Sequence, residues 1–359
     1  ELAKVEPHIL TLGQLGNVNK RNLLNTKKAP GEKGCIDELI DNKKVSLHDI
    51  PVELVTSTKN GEQYYNDRPL YQLTQDQELI LPNLKHEMSL VEYPIHFIDF
   101  ETSTVPLPFH TGRKPYEQIA FQFSHHIYHL DGRIEHANEY INTTPGEFPN
   151  FIFMLNLYNA LKNDEGTIFR FSTHENTILN AIHAQLKESN YEFKDLLIPF
   201  IESISAAKKE HATPWETPQR NMVDLCDIIK KYYYNPYTFG SNSIKKVLPA
   251  ILKTSTFVRG KYSNSIGNIN LTSKNFSKNH VWLKEENGSI ISPYKMLPKV
   301  FDGYSIDEIE GMLSEIENID DGGAALTAYG KIQYTNMSQL EREDLSFALL
   351  KYCELDTLA

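Results

Sequence analysis

Apolar and polar positions alternate without a clear period over the first ninety residues, and the pattern sharpens abruptly at Tyr93. Pro94-Ile-His-Phe-Ile-Asp-Phe100 is a compact, β-rich apolar run that predicts a buried strand. After a loop rich in proline (Pro106, Pro108, Pro115), residues 118–129 predict a second long strand. Asp131-Gly132 is a two-residue turn signal and 133–141 the returning strand, which together make a hairpin. Residues 148–161 read as a helix and 167–171 as a fourth strand. Ser172 and Thr173 then stand where an N-cap belongs, ahead of a helix over 175–186 with Ile178, Leu179, Ile182 and Leu186 on one stripe. A helix near 194–209 and a short strand at Met222-Val-Asp-Leu225 come next, and Gly240-Ser241 caps a helix over 242–252. Residues 254–300 form an Asn/Ser-rich insertion with little periodicity. Ser305-Ile-Asp-Glu308 and the pair Ser338/Glu341 have the look of capping boxes, opening helices over 305–317 and from 338 to the end.

The same reading divides the chain. Residues 1–90 are a helical accessory segment, with turn signals at Ala29-Pro-Gly31 and Lys59-Asn-Gly61 and two short helices within 36–54 separated near Lys44-Val-Ser46. Residues 91–359 are the main domain, interrupted by the basic insertion around 254–300. Strands and helices in this order predict an α/β fold with a mixed sheet and helices on both faces. That order is compatible with a ribonuclease-H-like fold.

Composition narrows the classes. With 40% hydrophobic and 23% charged residues over 359 positions, the chain can bury a sizeable core and is not disordered overall. No run approaches the roughly 20 apolar residues that span a bilayer, and the start does not resemble a signal peptide. Cys35, Cys226 and Cys353 lie far apart, which argues against a disulfide scaffold and for a soluble protein of a reducing, cytoplasmic compartment. The chain begins on Glu1 and stops inside a helical pattern, so the natural protein is expected to continue beyond both ends. The net charge of -11 speaks against a nucleic-acid partner, but its distribution speaks for one. Between Ile228 and Lys284 there is no Asp or Glu and there are ten basic residues, among them Lys230, Lys231, Lys245 and Lys246. Tyr232, Tyr233, Tyr234, Tyr237, Phe239, Phe257, Tyr262, Phe276 and Trp282 are interleaved with them. Cations for phosphates beside rings for bases suit single-stranded nucleic acid; a solvated basic face with core tyrosines is the alternative.

Asp99-Phe100-Glu101 is the sharpest local feature. Two carboxylates two residues apart on a strand point to the same side, and buried like charges call for a cation or for hydrogen bonds. Such oxygen ligands suit Mg²⁺ or Mn²⁺. The plainer alternative makes Asp99 a loop cap and Glu101 a solvated acid. Glu175 opens the helix after the fourth strand, where the helix dipole favours an acid in any case. Tyr352 and Asp356 are four residues apart and share a helix face. His125-His126 and His174 suggest zinc by type, but neighbours on a strand face opposite ways, so His125 and His126 are not expected to share an ion. Cys353 has no partners that would make it a nucleophile, and Asp224 and Asp227 are not expected to be ligands.

The set resembles the DEDD superfamily of 3′–5′ exonucleases, in the subgroup with Tyr four residues before the last Asp. Ile98-Asp-Phe-Glu-Thr102 is similar to its first motif, Phe169-Arg-Phe-Ser-Thr-His-Glu175 to its second, and Tyr352-Cys-Glu-Leu-Asp356 to its third. Glu175 departs from the usual Asp. From about residue 36 to the end, the chain more closely resembles an uncharacterised prokaryotic family known as a domain of unknown function. The similar stretches are 93–102, 170–179, Met222-Val-Asp-Leu225 through Ser241-Asn-Ser-Ile-Lys-Lys-Val-Leu-Pro249, and the terminal Cys-x-x-Asp-Thr-Leu-Ala. The resemblance implies two Mg²⁺ or Mn²⁺ ions held by Asp99, Glu101, Glu175 and Asp356. It also implies in-line hydrolysis at phosphorus, with Tyr352 orienting the water. Lys245, Lys246, Lys230 and Lys231 are then candidates for contacts to single-stranded DNA or RNA. A catalytically weak or inactive ribonuclease-H-like module that binds nucleic acid or protein stays open as the alternative, and a hydrolase of small phosphoesters as a third.

Overall fold

The computed structural model describes residues 8–9, 35–59, 62–65, 67–302, 304, 312, 316 and 318–359. The helix expected over 305–317 and the turn at Ala29-Pro-Gly31 lie outside the described residues. Two compact units divide the chain: one takes Glu1–Met88 with Cys226–Ser255, the other Ser89–Leu225 with Thr256–Ala359. The return of 226–255 to the first unit differs from the expected 91–359 domain. It carries Lys230, Lys231, Lys245 and Lys246 with it.

The reason lies in specific pairings inside that first unit. Tyr233–Tyr234 pairs antiparallel with Leu79–Ile80, Arg68 donates to the Tyr233 carbonyl at 3.0 Å, and the Tyr232 hydroxyl donates to Glu87. Ile9, Ile36, Val45, Leu47, Ile50, Val55 and Leu73 form a small core. The segment is not purely helical, because Thr56–Lys59 and Glu62–Tyr65 form an antiparallel hairpin. Of the two helices expected within 36–54, Cys35–Asp41 is an α-helix, and the stretch after Ser46 consists of short 3₁₀ turns.

The second unit is built on a six-stranded mixed sheet. In chain order its strands are β1 (Ile95–Ser103), β2 (Ile119–Tyr128), β3 (Ile134–Ile141), β4 (Ile168–Arg170), β5 (Val223–Asp224) and β6 (Leu271–Thr272). Across the sheet they run β6-β3-β2-β1-β4-β5. The first three are antiparallel neighbours, while β4, β5 and β6 pair parallel. The fold is thus α/β with a mixed sheet flanked by helices. The helices are α1 (Asn150–Leu161), α2 (His174–Lys187), α3 (Lys194–Ile204), α4 (Gly322–Tyr334) and α5 (Gln339–Leu358).

Register sorts the side chains between the two faces. Ile98 and Phe100 of β1 and Phe123 of β2 join Phe153 and Leu157 of α1, Ile178, Leu179 and Ile182 of α2, and Leu197 and Ile201 of α3 in one buried core. The alternate residues meet α5 instead: Asp99 is opposite Ser124, Glu101 opposite Gln122 and Phe97 opposite His126. Gln122 donates to the Leu349 carbonyl and Ser124 bonds Thr357, both on α5. Phe121 stacks on Tyr329 of α4, with centroids 4.0 Å apart.

Four elements differ from the sequence pattern. Helix α3 stops at Ile204 because Ser205 is extended (φ -134, ψ 159). The helix expected over 242–252 behind Gly240-Ser241 runs Ile244–Thr254 with Ser243 at its cap position, and like Thr173 ahead of α2, Ser243 makes no side-chain cap bond. Helix α4 is not among the expected elements; its Gly-Gly start hides it, but Asp321 caps Ala324, and Ala325, Ala328, Tyr329 and Ile332 form a buried i, i+3, i+4, i+7 stripe. The 254–300 insertion is structured, contributing helix Thr256–Tyr262, strand β6 and a hairpin of Lys284–Glu286 with Ser289–Ile291. No described helix is long and apolar enough to cross a membrane.

Candidate acid site on the sheet and terminal helix

Period-two alternation puts Asp99 and Glu101 on the face of β1 that meets α5. There one donor atom each from Asp99, Glu101 and Cys353 lie within 4.8 Å of one another. Glu101 and Cys353 are buried and Asp99 is half-buried. The Cys353 thiol lies 3.6 Å from Asp99 Oδ2. One helical turn carries both neighbours: Tyr352 and Asp356 of α5 share a hydrogen bond, and Tyr352 feels the charges of Asp356, Glu101 and Asp99. Burial first, then those charges, hold the Tyr352 hydroxyl far above its usual titration range, so it keeps its proton. Cys353 is pushed the same way by burial and by Asp99, which keeps it a thiol rather than a nucleophile.

Glu175, at the start of α2, is 1% exposed. Burial, then the Asp99 carboxylate, raise its carboxyl well above the usual range. Its Oε2 finds no hydrogen-bond partner among the described residues. The turn that delivers it is held by Asp224 of β5. This carboxylate pairs Arg170 at 3.1 Å through Oδ2 and accepts the Ser172 amide at 2.9 Å through Oδ1. Ser172 has φ +76, a left-handed conformation that costs a non-glycine residue of order 1–3 kcal/mol and needs such support. Asp224 is therefore a positioning residue. His174 beside it meets the Thr102 hydroxyl at 3.0 Å.

Tyr294 has no forerunner among the expected site residues. It comes from the insertion, is 4% exposed, and its hydroxyl donates to Asp356 Oδ1 at 2.5 Å. Burial and the Asp356 charge raise its titration far above the ordinary value. An aromatic inside an aperiodic segment gives no period to read, and its partner lies 62 residues away, so only the tertiary fold reveals it.

Asp99 and Glu101 group with Cys353 within metal-ligating reach, and the charges of Glu175 and Asp356 act on Asp99 and Cys353; the four carboxylates offer hard oxygens, and a buried carboxylate oxygen of Glu175 lacks a partner among the described residues. These features fit Mg²⁺ or Mn²⁺. The basic segment is divided. Lys230 pairs with Asp227 at 3.4 Å, and Lys253 lies 3.6 Å over the Tyr237 ring. The four lysines singled out from the sequence belong to the first unit and the five candidate catalytic residues to the second. Several interleaved rings are committed to packing: Tyr234 and Trp282 are buried, Phe276 packs edge-on against Trp282, and Tyr233 donates to Glu78. Phe257, Tyr237 and Phe239 remain exposed.

The paired histidines do separate. His125 turns to His96, whose other nitrogen meets Asp164 at 2.8 Å, and burial pushes His125 down to about 3. His126 turns to the opposite face, toward Thr357 and His136.

No curated protein and no solved structure matches the chain. Residues 96–243, from β1 through β5 into the segment that rejoins the first unit, match the family model described as a domain of unknown function, DUF2779.

Proposed function

We propose that the chain is a metal-dependent 3′–5′ exonuclease of the DEDD type, hydrolysing phosphodiester bonds of single-stranded DNA or RNA. The observation that carries this reading is the meeting of Asp99, Glu101, Tyr352 and Asp356 on one face of the sheet. Glu175, with its unpartnered buried oxygen, is close enough to Asp99 for the two charges to interact. Asp99, Glu101, Glu175 and Asp356 would hold two Mg²⁺ or Mn²⁺ ions. Once bound, these supply Lewis acidity at phosphorus and a reactive water. Asp99 and Glu101 are aimed by the strand, and Asp356 by the helix. With a cation bound Glu175 would be ionised, because the penalty that raises its pKa is the penalty of an uncompensated charge. Tyr352 keeps its proton and donates a hydrogen bond to Asp356 in the ion-free protein; with Asp356 on a cation the hydroxyl would be released to orient a water or a phosphate oxygen by donating rather than abstracting. Asp224 keeps the Ser172 turn, and with it Glu175, in place.

One observation favours the second reading, a weak or inactive module: Tyr294 already occupies Asp356 Oδ1. The test is 3′-end digestion of 5′-labelled single-stranded DNA and RNA with Mg²⁺ or Mn²⁺. Wild type should give a ladder shortening from the 3′ end. Asp99→Asn should lower the rate by about 10³-fold, the equivalent of several kcal/mol of lost charge stabilisation. Retained oligonucleotide binding without cleavage by wild type would select the second reading.

A further inference from the structure

We infer that the face of the sheet beside the acid site holds a second, structural ion of the Zn²⁺ type, ligated by His126 of β2, His136 of β3 and Glu354 of α5. These three can each offer one donor atom such that all lie within 4.8 Å of one another. They are 1%, 3% and 0% exposed. Two imidazoles and a carboxylate are a recurring zinc set, whereas Mg²⁺ prefers oxygen alone.

What surrounds them assigns the donor atoms. His126 Nδ1 meets the Thr357 hydroxyl at 2.7 Å, that hydroxyl meets Ser124 Oγ at 2.7 Å, and Ser124 Oγ meets His136 Nε2 at 3.1 Å. A hydroxyl chain thus fixes the far nitrogen of each ring, as outer partners orient histidine ligands. His126 Nε2 and Glu354 Oε1 are left buried with no partner among the described residues. Leaving such groups empty costs about 1–3 kcal/mol each. His136 Nδ1 accepts the Lys274 amide at 3.3 Å, yet lies 3.0 Å from Glu354 Oε2, which itself accepts the Asn275 amide at 3.1 Å and its side chain at 2.9 Å. Two acceptors that close need either a proton or a metal cation between them. Burial keeps His126 in the neutral form that binds metal. A tetrahedral zinc site with ligands at about 2.0–2.1 Å separates its donors by roughly 3.3 Å, so the three donors would draw together from within 4.8 Å and a water would be the fourth ligand.

The ion would tie α5 to β2 and β3 from the residue next to Cys353 and two before Asp356, fixing the helix that carries Tyr352 and Asp356. Neither the ligands nor their test depends on nuclease activity.

The experiment is metal analysis of the full chain purified without chelator and then titrated with Zn²⁺ and, separately, Co²⁺. Wild type and Asp99→Asn should each retain about one Zn²⁺ through desalting and give the intense visible bands of four-coordinate Co²⁺. His136→Gln and Glu354→Gln, shown to be folded by circular dichroism, should lose both signals. Thr357→Val, which removes only the orienting hydroxyl, should weaken binding about 10–100-fold. Wild type without a retained ion or tetrahedral cobalt spectrum overturns the inference even if the variants fail to fold. Loss of the ion in Asp99→Asn with retention in His136→Gln overturns it too, by assigning the ion to the acid site.

Discussion

At the residue scale, Glu175 ties the acid site to a measurable pH dependence. In the cation-free protein its carboxyl holds a proton well above the value of about 4.3 it has when unfolded. The folded state therefore binds more protons than the unfolded one above that value. The stabilisation is complete at lower pH and is lost as pH rises toward the folded-state pKa, by up to about 1.4 kcal/mol per unit. Melting curves from about pH 5 to 8 in chelator should show this decline in wild type and a shallower one in Glu175→Gln. Added Mn²⁺ should restore wild type and do less for the variant. Tyr352→Phe checks the donor role. It should bind Mn²⁺ normally and lower the turnover of single-stranded substrate about 10²-fold, in a rate profile that does not shift with pH. Asp99 and Glu101 were legible in the sequence because a strand's period of two allows only one relative orientation. Tyr294 and the His126–His136–Glu354 group were not, because each depends on which elements become neighbours in space.

At the element scale, the hairpin of β2 and β3 and the helices α1, α2 and α5 are where the apolar pattern puts them, within a few residues. Helices α1 and α2 share one core with the sheet and α5 packs on its other face, so local periodicity and tertiary burial agree. Apart from α4, a regular helix behind a Gly-Gly start, what failed was short or irregular: β6 has two residues, and the 3₁₀ turns after Ser46 have too few positions for a period to register. The loop into β4 shows a constraint of another kind. Gly166 lies just after Asp164, which its amide meets at 2.9 Å, and a Cβ at this position would stand 1.8 Å from the Pro94 carbonyl oxygen. Gly166→Ala should therefore separate β4 from β1 and cost about 3 kcal/mol in a denaturant melt. Gly132→Ala meets nothing within 4 Å and is strained only through its φ of +84, so it should cost less, about 1 kcal/mol.

At the scale of the whole molecule, the chain leaves the first unit at Met88 and returns to it over Cys226–Ser255. A fragment of residues 91–359 would carry that returning segment without Leu79–Ile80, Arg68 and Glu87, the groups that pair with Tyr233–Tyr234 and Tyr232. It should melt below the full chain and bind a hydrophobic dye at temperatures where the full chain does not. A clean domain boundary was not visible in the sequence, because a cut is read from local composition whereas this division is made by the pairing of Leu79 with Tyr234, far apart along the chain. The order of the sheet has one more consequence. Its two outer positions are β5 and β6, each only two residues long, while the eight- to ten-residue strands lie inside. Rows of unpaired amides and carbonyls are what lets one sheet recruit another, and β5 and β6 offer only two residues of them each. Because β6 pairs with Ile134 and Glu135 alone, a backbone ladder between copies of this sheet has to be built on the remainder of β3 rather than on the two terminal strands.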